Sequence, residues 1–211
     1  YLQPVRDVIP QSLLDKLNTS LPEKSPLTST HPEYLDNNAK TNIILTDSSE
    51  VFVTFVHEGA GYRNVFGFYT YPLNSPPQSI ADIQSTMTII FPNVSYNQSG
   101  GGLYSGDKVK IGNFSANTVI GWFLLSNGYV PPNVTDGAWR LFSDRNLNPE
   151  VNPDKRQHMV ALHDAGNERI VLGFEDINRE NAGCDQDFND AMFYVSANPF
   201  TAINTSSMQL M

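Results

Sequence analysis

The sequence predicts an all-β fold, a jelly-roll-like antiparallel β-sandwich with long loops and a short N-terminal helix. Short runs rich in β-branched and aromatic residues recur along most of the chain, and turn residues separate them. No stretch with a helical period lies between these runs, which is typical of sandwiches and barrels. Of the 211 residues, 40% are hydrophobic and 11% are aromatic, and this composition supports a packed core.

Residues 1–40 are predicted to form an N-terminal helix and a connector that pack on the main domain. Apolar residues recur at helical spacing between Val8 and Asn18, and Pro10 stands near the start of this stretch. The residues from Thr19 to Lys40 are mostly polar and include several prolines, which is typical of a connecting segment.

Residues 41–199 are predicted to form the β-sandwich. The strand candidates alternate with separators such as Asn127-Gly128, whose residue types favour turns. The predicted strands are Val51–Val56, Asn64–Tyr71, Thr86–Phe91, Lys108–Phe114, Thr118–Leu125, Trp139–Phe142, His158–His163, Arg169–Phe174 and Ala191–Val195. We expect residues 200–211 to form a flexible tail, because terminal residues are poorly ordered unless they are tied down.

The segment from Gly173 to Asp190 is strongly acidic. Only one cation, Arg179, stands among its carboxylates, and three asparagines add further oxygen atoms. The carboxylates belong to Glu175, Asp176, Glu180, Asp185, Asp187 and Asp190. So many carboxylates repel one another unless a cation lies among them, and hard oxygen ligands at this density suit Ca²⁺. A solvated acidic loop is the alternative, because most charge clusters are solvent-exposed.

Side-chain alternation predicts how this segment divides between metal and core. In an extended chain Asp185, Asp187 and Asn189 share one face, and Phe188 points the opposite way, into the core. The β-prone run Ala191–Val195 then anchors the segment to a sheet. The segment is not an EF-hand, because the turn glycine and the closing glutamate of that motif are both missing.

The predicted calcium ligands come mainly from this segment. They are Glu175, Asp176, Asp185, Asp187, Asn189 and Asp190. Asn148, Glu150 and Glu58 are additional candidates. The first two belong to the stretch Asp144–Glu150, where alternate residues carry oxygens, and an Asx-turn loop is the alternative there. Glu58 lies in a glycine-containing turn and either binds the metal or pairs with Arg63.

Charge and motif content argue against several classes of function. The net charge of −9 opposes binding to nucleic acid or to anionic membranes, because phosphate groups require a positive patch. No apolar run reaches the length of a membrane span. Phosphate-binding loops, nucleophile elbows and zincin histidine pairs are absent, so we expect neither an enzyme nor a zinc site. Cys184 is the only cysteine, and the carboxylates around it are expected to raise its pKa.

Several stretches occur in an order that is known from one family. They are Phe55–Asn64, Gly67–Tyr71, Gly106–Val109, Leu147–Glu150 ahead of His158 and Val160, Phe174–Ile177, and Asp185–Asp190 leading into a hydrophobic strand. In combination they resemble the LruC-type domain, which has related modules in large secreted bacterial adhesins of the RTX class. The resemblance covers the chain from about Leu21 to Pro199.

The resemblance implies a calcium-binding β-sandwich that, in some adhesins, captures peptide ends or sugars. We therefore expect a calcium-dependent, non-enzymatic recognition domain that serves cell adhesion, with a lectin-like carbohydrate ligand or a peptide ligand. It would be one module of a larger bacterial protein that is secreted or displayed on the cell surface. Two alternatives stay open. One is a purely structural, calcium-stapled module, and the other is a glycoside hydrolase in which Glu175 and Asp187 form the carboxylate pair.

Overall fold

The computed structural model describes residues 1–211 and confirms an all-β, sandwich-like fold. The strands are β1 (Ile43–Ile44), β2 (Ser49–Glu58), β3 (Asn64–Pro72), β4 (Thr88–Val94), β5 (Lys108–Phe114), β6 (Thr118–Leu125), β7 (Tyr129–Val130), β8 (Asn133–Val134), β9 (Arg140–Phe142), β10 (Met159–Asp164), β11 (Arg169–Phe174), β12 (Ala191–Asn198) and β13 (Gln209–Leu210). The α-helices are α1 (Gln11–Ser20) and α2 (Leu27–Thr30). Neither has the length and apolar character needed to cross a membrane.

Two sheets form the layers of the sandwich. The six-stranded sheet has the order β13-β10-β11-β12-β2-β5, and the five-stranded sheet has the order β1-β6-β3-β4 with β9 paired to β6. All pairings within them are antiparallel except that of β10 with β13. Strands β7 and β8 form a separate hairpin. Within the two sheets, the only consecutive strands that pair are β3 with β4, β10 with β11 and β11 with β12. Many of the other connections therefore pass from one sheet to the other.

The main core lies between the two sheets and is built largely from aromatic rings. Phe66 of the five-stranded sheet stacks on Phe193 of the six-stranded sheet, with 3.9 Å between the ring centroids. Trp122 of the neighbouring strand β6 also stacks on Phe66, with 5.8 Å between the ring centroids. All three side chains are fully buried. Their contacts hold the layers together, because aromatic pairs add to the free energy of area burial.

A second core covers the outer face of the six-stranded sheet. Side chains alternate along β10, so that Ala161 faces the main core while Val160 and Leu162 face this second one. Helix α1 closes the second core with Leu13 and Leu17, which are buried on one face of the helix. The N-terminal segment is therefore an integral layer of the fold.

The periodicity predicts that the helix begins at Val8, whereas helix α1 begins at Gln11. Pro10 has an extended backbone, with φ −74° and ψ 150°, and the residue before a proline is biased against helical geometry. The residues ahead of it run along β5 instead. The backbone N–H of Gln3 donates to the Lys108 carbonyl at 2.8 Å, and that of Asp7 donates to the Gly106 carbonyl at 2.9 Å.

The prediction of a flexible tail over residues 200–211 is corrected by the structure. Ala202, Ile203 and Met208 are buried in the main core. Strand β13 pairs in parallel with β10, with Leu162 opposite Gln209. The apolar residues that follow Pro199 therefore gain burial, and this burial outweighs the tendency of a chain end to fray.

Candidate metal centre

The acidic segment is the connection between two neighbouring strands. The register of β11 and β12 ends with Phe174 opposite Ala191, so Glu175 and Asp190 leave the sheet side by side. In the next pairing Ala191 lies opposite Glu58, the last residue of β2. Strand register therefore gathers three carboxylates at one end of the six-stranded sheet.

Five carboxylates form two overlapping groups at this end. The outer group consists of Glu175, Asp185 and Asp187, and the inner group of Glu175, Asp176 and Asp190. Within each group the ligand oxygens lie within 4.8 Å of one another. Calcium binds oxygen at about 2.3–2.6 Å, so two ligands of one ion lie at most about 5 Å apart. Each group is therefore compact enough for its oxygens to coordinate one metal ion.

Glu175 belongs to both groups and has an unsatisfied oxygen. Its residue surface is 1% exposed, and its Oε2 atom has no hydrogen-bond partner. Burying an unpaired carboxylate is strongly unfavourable, so such a group either takes up a proton or faces a cation. The donor set and this orphaned oxygen both fit a hard divalent ion.

The charged forms of the inner carboxylates are disfavoured in the absence of a cation. Burial raises the pKa of Glu175, Asp176 and Asp190, and repulsion from neighbouring carboxylates raises it further. Burial also raises the pKa of Asp187, although the backbone N–H of Lys24 acts in the opposite direction. A bound cation would reverse this effect, because it favours the ionised form of every oxygen ligand.

Hydrogen bonds hold one oxygen of several of these carboxylates in place. The Asn64 amide donates to Asp176 Oδ2 at 2.7 Å, and the Asp176 backbone N–H donates to Asp190 Oδ2 at 2.8 Å. The Lys24 backbone N–H donates to Asp187 Oδ2 at 2.8 Å. Sequence reasoning missed Asn64, which is fully buried at the start of β3. The one signal in the sequence is its position as a polar residue at the start of a predicted strand.

The loop that carries Asp185 and Asp187 is not extended, which corrects the sequence-based prediction. Gln186 has φ 60° and Phe188 has φ 61°, a left-handed conformation that is strained for residues with a bulky side chain. Asp185 and Asp187 nevertheless lie in one group, and Phe188 is fully buried in the second core. Asn189 lines an open cleft over these carboxylates, and its amide donates to the Leu21 carbonyl at 3.3 Å.

Arg179 supports this strained loop. Its guanidinium lies 5.1 Å from the centroid of the Phe188 ring and donates to Gln186 Oε1 at 3.2 Å. It also donates to the Gln157 carbonyl at 3.0 Å, and it forms no ion pair with a carboxylate. The only cation of the acidic segment therefore fixes the loop and leaves the carboxylates without a direct partner.

Two of the additional candidates, Asn148 and Glu150, lie outside both groups. Asn148 bonds the backbone of Phe142 through both its amide atoms, at 2.7 Å each, so it is a structural residue that ties its loop to β9. Glu150 Oε1 lies 2.7 Å from His158 Nε2, and both side chains are fully buried. His158 in turn contacts the Glu175 carbonyl through Nδ1 at 3.2 Å. Glu150 therefore contacts the backbone of Glu175 indirectly, through the His158 ring.

Glu58 lies beside the inner group but is not one of its members. Its side chain is buried, and burial raises its pKa, with a further contribution from Asp176. It forms no ion pair with Arg63. Cys184 lies against Glu175, and burial followed by that carboxylate raises the pKa of its thiol. Cys184 therefore stays a neutral thiol and has no nucleophilic character.

An open cleft of about 430 Å³ lies over the carboxylates. Asp185 is exposed there. The remaining wall combines the glycine-containing turn after β2, one aromatic ring and one apolar side chain. These lining residues are Gly59, Ala60, Gly61, Tyr62 and Ile177, with Glu23 and Lys24 at the edge. A small polar group entering the cleft would thus meet carboxylate oxygens and a modest apolar surface.

Comparison with known proteins yields one match. No curated protein and no solved structure matches the chain significantly. The region that aligns with a family profile contains β6 to β12 together with every member of the two carboxylate groups, whereas Glu58 and Asn64 lie ahead of it. The matching family profile is described as a domain of unknown function, DUF4114, and it aligns with residues 114–198.

Proposed function

We propose that this chain is a calcium-dependent, non-enzymatic recognition domain of a secreted or cell-surface protein. One observation carries the proposal: Glu175 is buried with an unpartnered oxygen, and four further carboxylates stand within ligand distance of it. An all-oxygen ligand set of carboxylates suits Ca²⁺ better than Mg²⁺, which demands a near-ideal octahedron and keeps much of its water. The resemblance to LruC-type domains and RTX adhesin modules supports the same assignment.

The cleft over the carboxylates supports a recognition role. Asp185 is exposed there, so an ion bound beside it keeps coordination positions that open toward solvent. Calcium readily completes its shell with carboxylate, carbonyl or hydroxyl oxygens. A peptide carboxylate or sugar hydroxyls would therefore bind through the ion, while Tyr62 and Ile177 contact the apolar parts of the same ligand. The partner is accordingly a peptide or carbohydrate on a cell surface.

Calorimetry on chelator-stripped protein tests the metal assignment. We expect heat of binding with CaCl₂, and much weaker binding with MgCl₂. Glu175→Gln should lose most of the calcium affinity, because the orphaned buried oxygen is then part of a neutral amide. Asp136→Asn is a matched control, since it removes one carboxylate from an exposed site outside both groups. Absence of calcium heat in the unmodified protein would overturn the proposal.

Ligand screening separates recognition from a purely structural role. Glycan and peptide arrays are probed with the same protein in calcium and in chelator. Binding that depends on calcium supports a recognition domain. Calcium binding without any ligand on either array would indicate that the ion has only a structural role, which is to stabilise the connection between β11 and β12.

A further inference from the structure

We infer that the centre holds two calcium ions, one in the outer and one in the inner group, with Glu175 bridging them. The inference rests on the proposed function and deepens it, because it assigns the number and arrangement of the ions. Its basis is the geometry of the five carboxylates together with the unpartnered oxygen of Glu175.

The division of the carboxylate oxygens into two groups favours two ions. Ligand oxygens lie within 4.8 Å of one another inside each group, and Glu175 is the only residue that the groups share. Because ligands of a single calcium ion lie at most about 5 Å apart, one ion fits one group at a time. A carboxylate has two oxygen atoms and can place one on each of two ions.

The hydrogen bonds in the inner group leave oxygens free for a cation. Asp176 and Asp190 each use Oδ2 to accept a bond within the protein, so each keeps Oδ1 for an ion. Glu175 is 1% exposed, and its Oε2 accepts no hydrogen bond. An occupied outer group alone would leave Asp176, which is 2% exposed, as an uncompensated charge in the interior.

Charge balance favours the same arrangement. The two groups contain five carboxylates, and no arginine or lysine side chain pairs with any of them. Two divalent ions neutralise four of the five negative charges, whereas one ion leaves most of the repulsion in place.

The two positions differ in their access to solvent, which predicts different tasks. The inner group joins the ends of β11 and β12 and is mostly buried, so its ion stabilises the fold. The outer group includes the exposed Asp185, so its ion exchanges more easily and is the one that contacts a ligand in the cleft.

Native mass spectrometry of the full chain, titrated with CaCl₂ after removal of metal, tests the inference. We expect two calcium ions on the unmodified protein and on the Asp136→Asn control. Asp185→Asn should keep only the inner ion, and Asp190→Asn only the outer ion. Glu175→Gln should weaken both. Far-ultraviolet circular dichroism in chelator checks that each variant is folded, and the exposed Asp185 provides a variant whose fold is not at risk.

Three outcomes would overturn parts of the assignment in distinguishable ways. A single ion on the unmodified protein, lost in both Asp185→Asn and Asp190→Asn, leaves the proposed function intact and eliminates the two-ion arrangement. Two ions of which Glu175→Gln loses only one would eliminate the bridge. No bound calcium at all contradicts the proposed function itself.

Discussion

Asp190 accepts a hydrogen bond from the backbone N–H of Asp176 at 2.8 Å, so two acidic residues are held together where β11 and β12 leave the sheet. Burial of both carboxylates opposes this arrangement, and so does their mutual repulsion. The bond uses Oδ2 of Asp190, and one oxygen of this carboxylate lies within 4.8 Å of oxygens of Glu175 and Asp176. A site of this kind is stable as an ionised cluster only when a cation occupies it.

Calcium should raise the thermal stability of the protein. A ligand that binds only the folded state adds about 2.7 kcal/mol when present at about a hundred times its dissociation constant. For a chain of this size that corresponds to an increase in Tm of roughly 5–10 °C. Melting curves in calcium, magnesium and chelator at matched ionic strength measure it. An identical Tm in calcium and chelator would contradict a metal centre.

Without metal, stability should fall as the pH rises. Burial, followed by repulsion between carboxylates, raises the pKa of Glu175 from 4.5 to about 7 and that of Asp176 from 3.8 to about 6. A carboxyl group whose pKa is raised by folding binds its proton more tightly in the folded state, so its stabilisation is present below the unfolded value. That stabilisation is lost between about pH 4 and pH 7. It amounts to roughly a few kcal/mol, because a shift of one pKa unit corresponds to about 1.4 kcal/mol.

Chemical denaturation of metal-free protein across this pH range tests the effect. Asp190→Asn is the comparison variant, because it removes one of the repelling carboxylates. We expect a smaller loss of stability with rising pH in that variant, and a further reduction of the loss in calcium. Equal pH dependence in both proteins would show that the cluster is not the cause.

Asp187 and Phe188 are adjacent but belong to different parts of the structure. Asp187→Asn should reduce calcium affinity, and it keeps an oxygen that can accept the Lys24 N–H. Phe188→Ala should cost about 3–5 kcal/mol of stability, because its ring is fully buried beneath helix α1. Denaturation in chelator measures the second effect and calorimetry the first. Equal destabilisation by the two variants in chelator would contradict the division of the loop.

Arg179 should control calcium affinity through the shape of the loop. Arg179→Met removes the bonds to Gln186 and Gln157, and we expect a loss of about 1–3 kcal/mol in stability together with weaker calcium binding. Arg179→Lys should not restore the affinity, because an ammonium group lacks the planar fork that donates in several directions. Arg140→Met, which removes an exposed cation, is the control. Unchanged calcium affinity in Arg179→Met would show that the loop keeps its form unaided.

The C-terminal residues should contribute measurably to stability. Ile203→Ala is expected to cost about 2–5 kcal/mol, because this side chain is 5% exposed and packs in the main core. Leu210→Ala should change stability by less than about 0.5 kcal/mol, since Leu210 is 64% exposed. Chemical denaturation of both variants makes the comparison. Similar small effects would indicate a loosely attached tail.

The sequence by itself determined most of the strands. The predicted limits of Lys108–Phe114, Thr118–Leu125 and Arg169–Phe174 coincide with β5, β6 and β11, because β-branched and aromatic runs between turn residues are local signals. Strands β1, β7, β8 and β13 were missed. Each has two residues, which is too short for any alternation to be visible.

The density of acidic residues also indicated which segment forms the candidate metal centre, but tertiary structure decided which oxygens meet. Asn64 reaches Asp176 across 112 positions of sequence, and the register between β11 and β12 places Glu175 beside Asp190. Asn148 is an additional ligand candidate in the sequence and instead bonds the backbone of Phe142. Local patterns act over a few residues, whereas strand pairing and packing bring together groups that are distant along the chain, and only these long-range contacts define a coordination geometry.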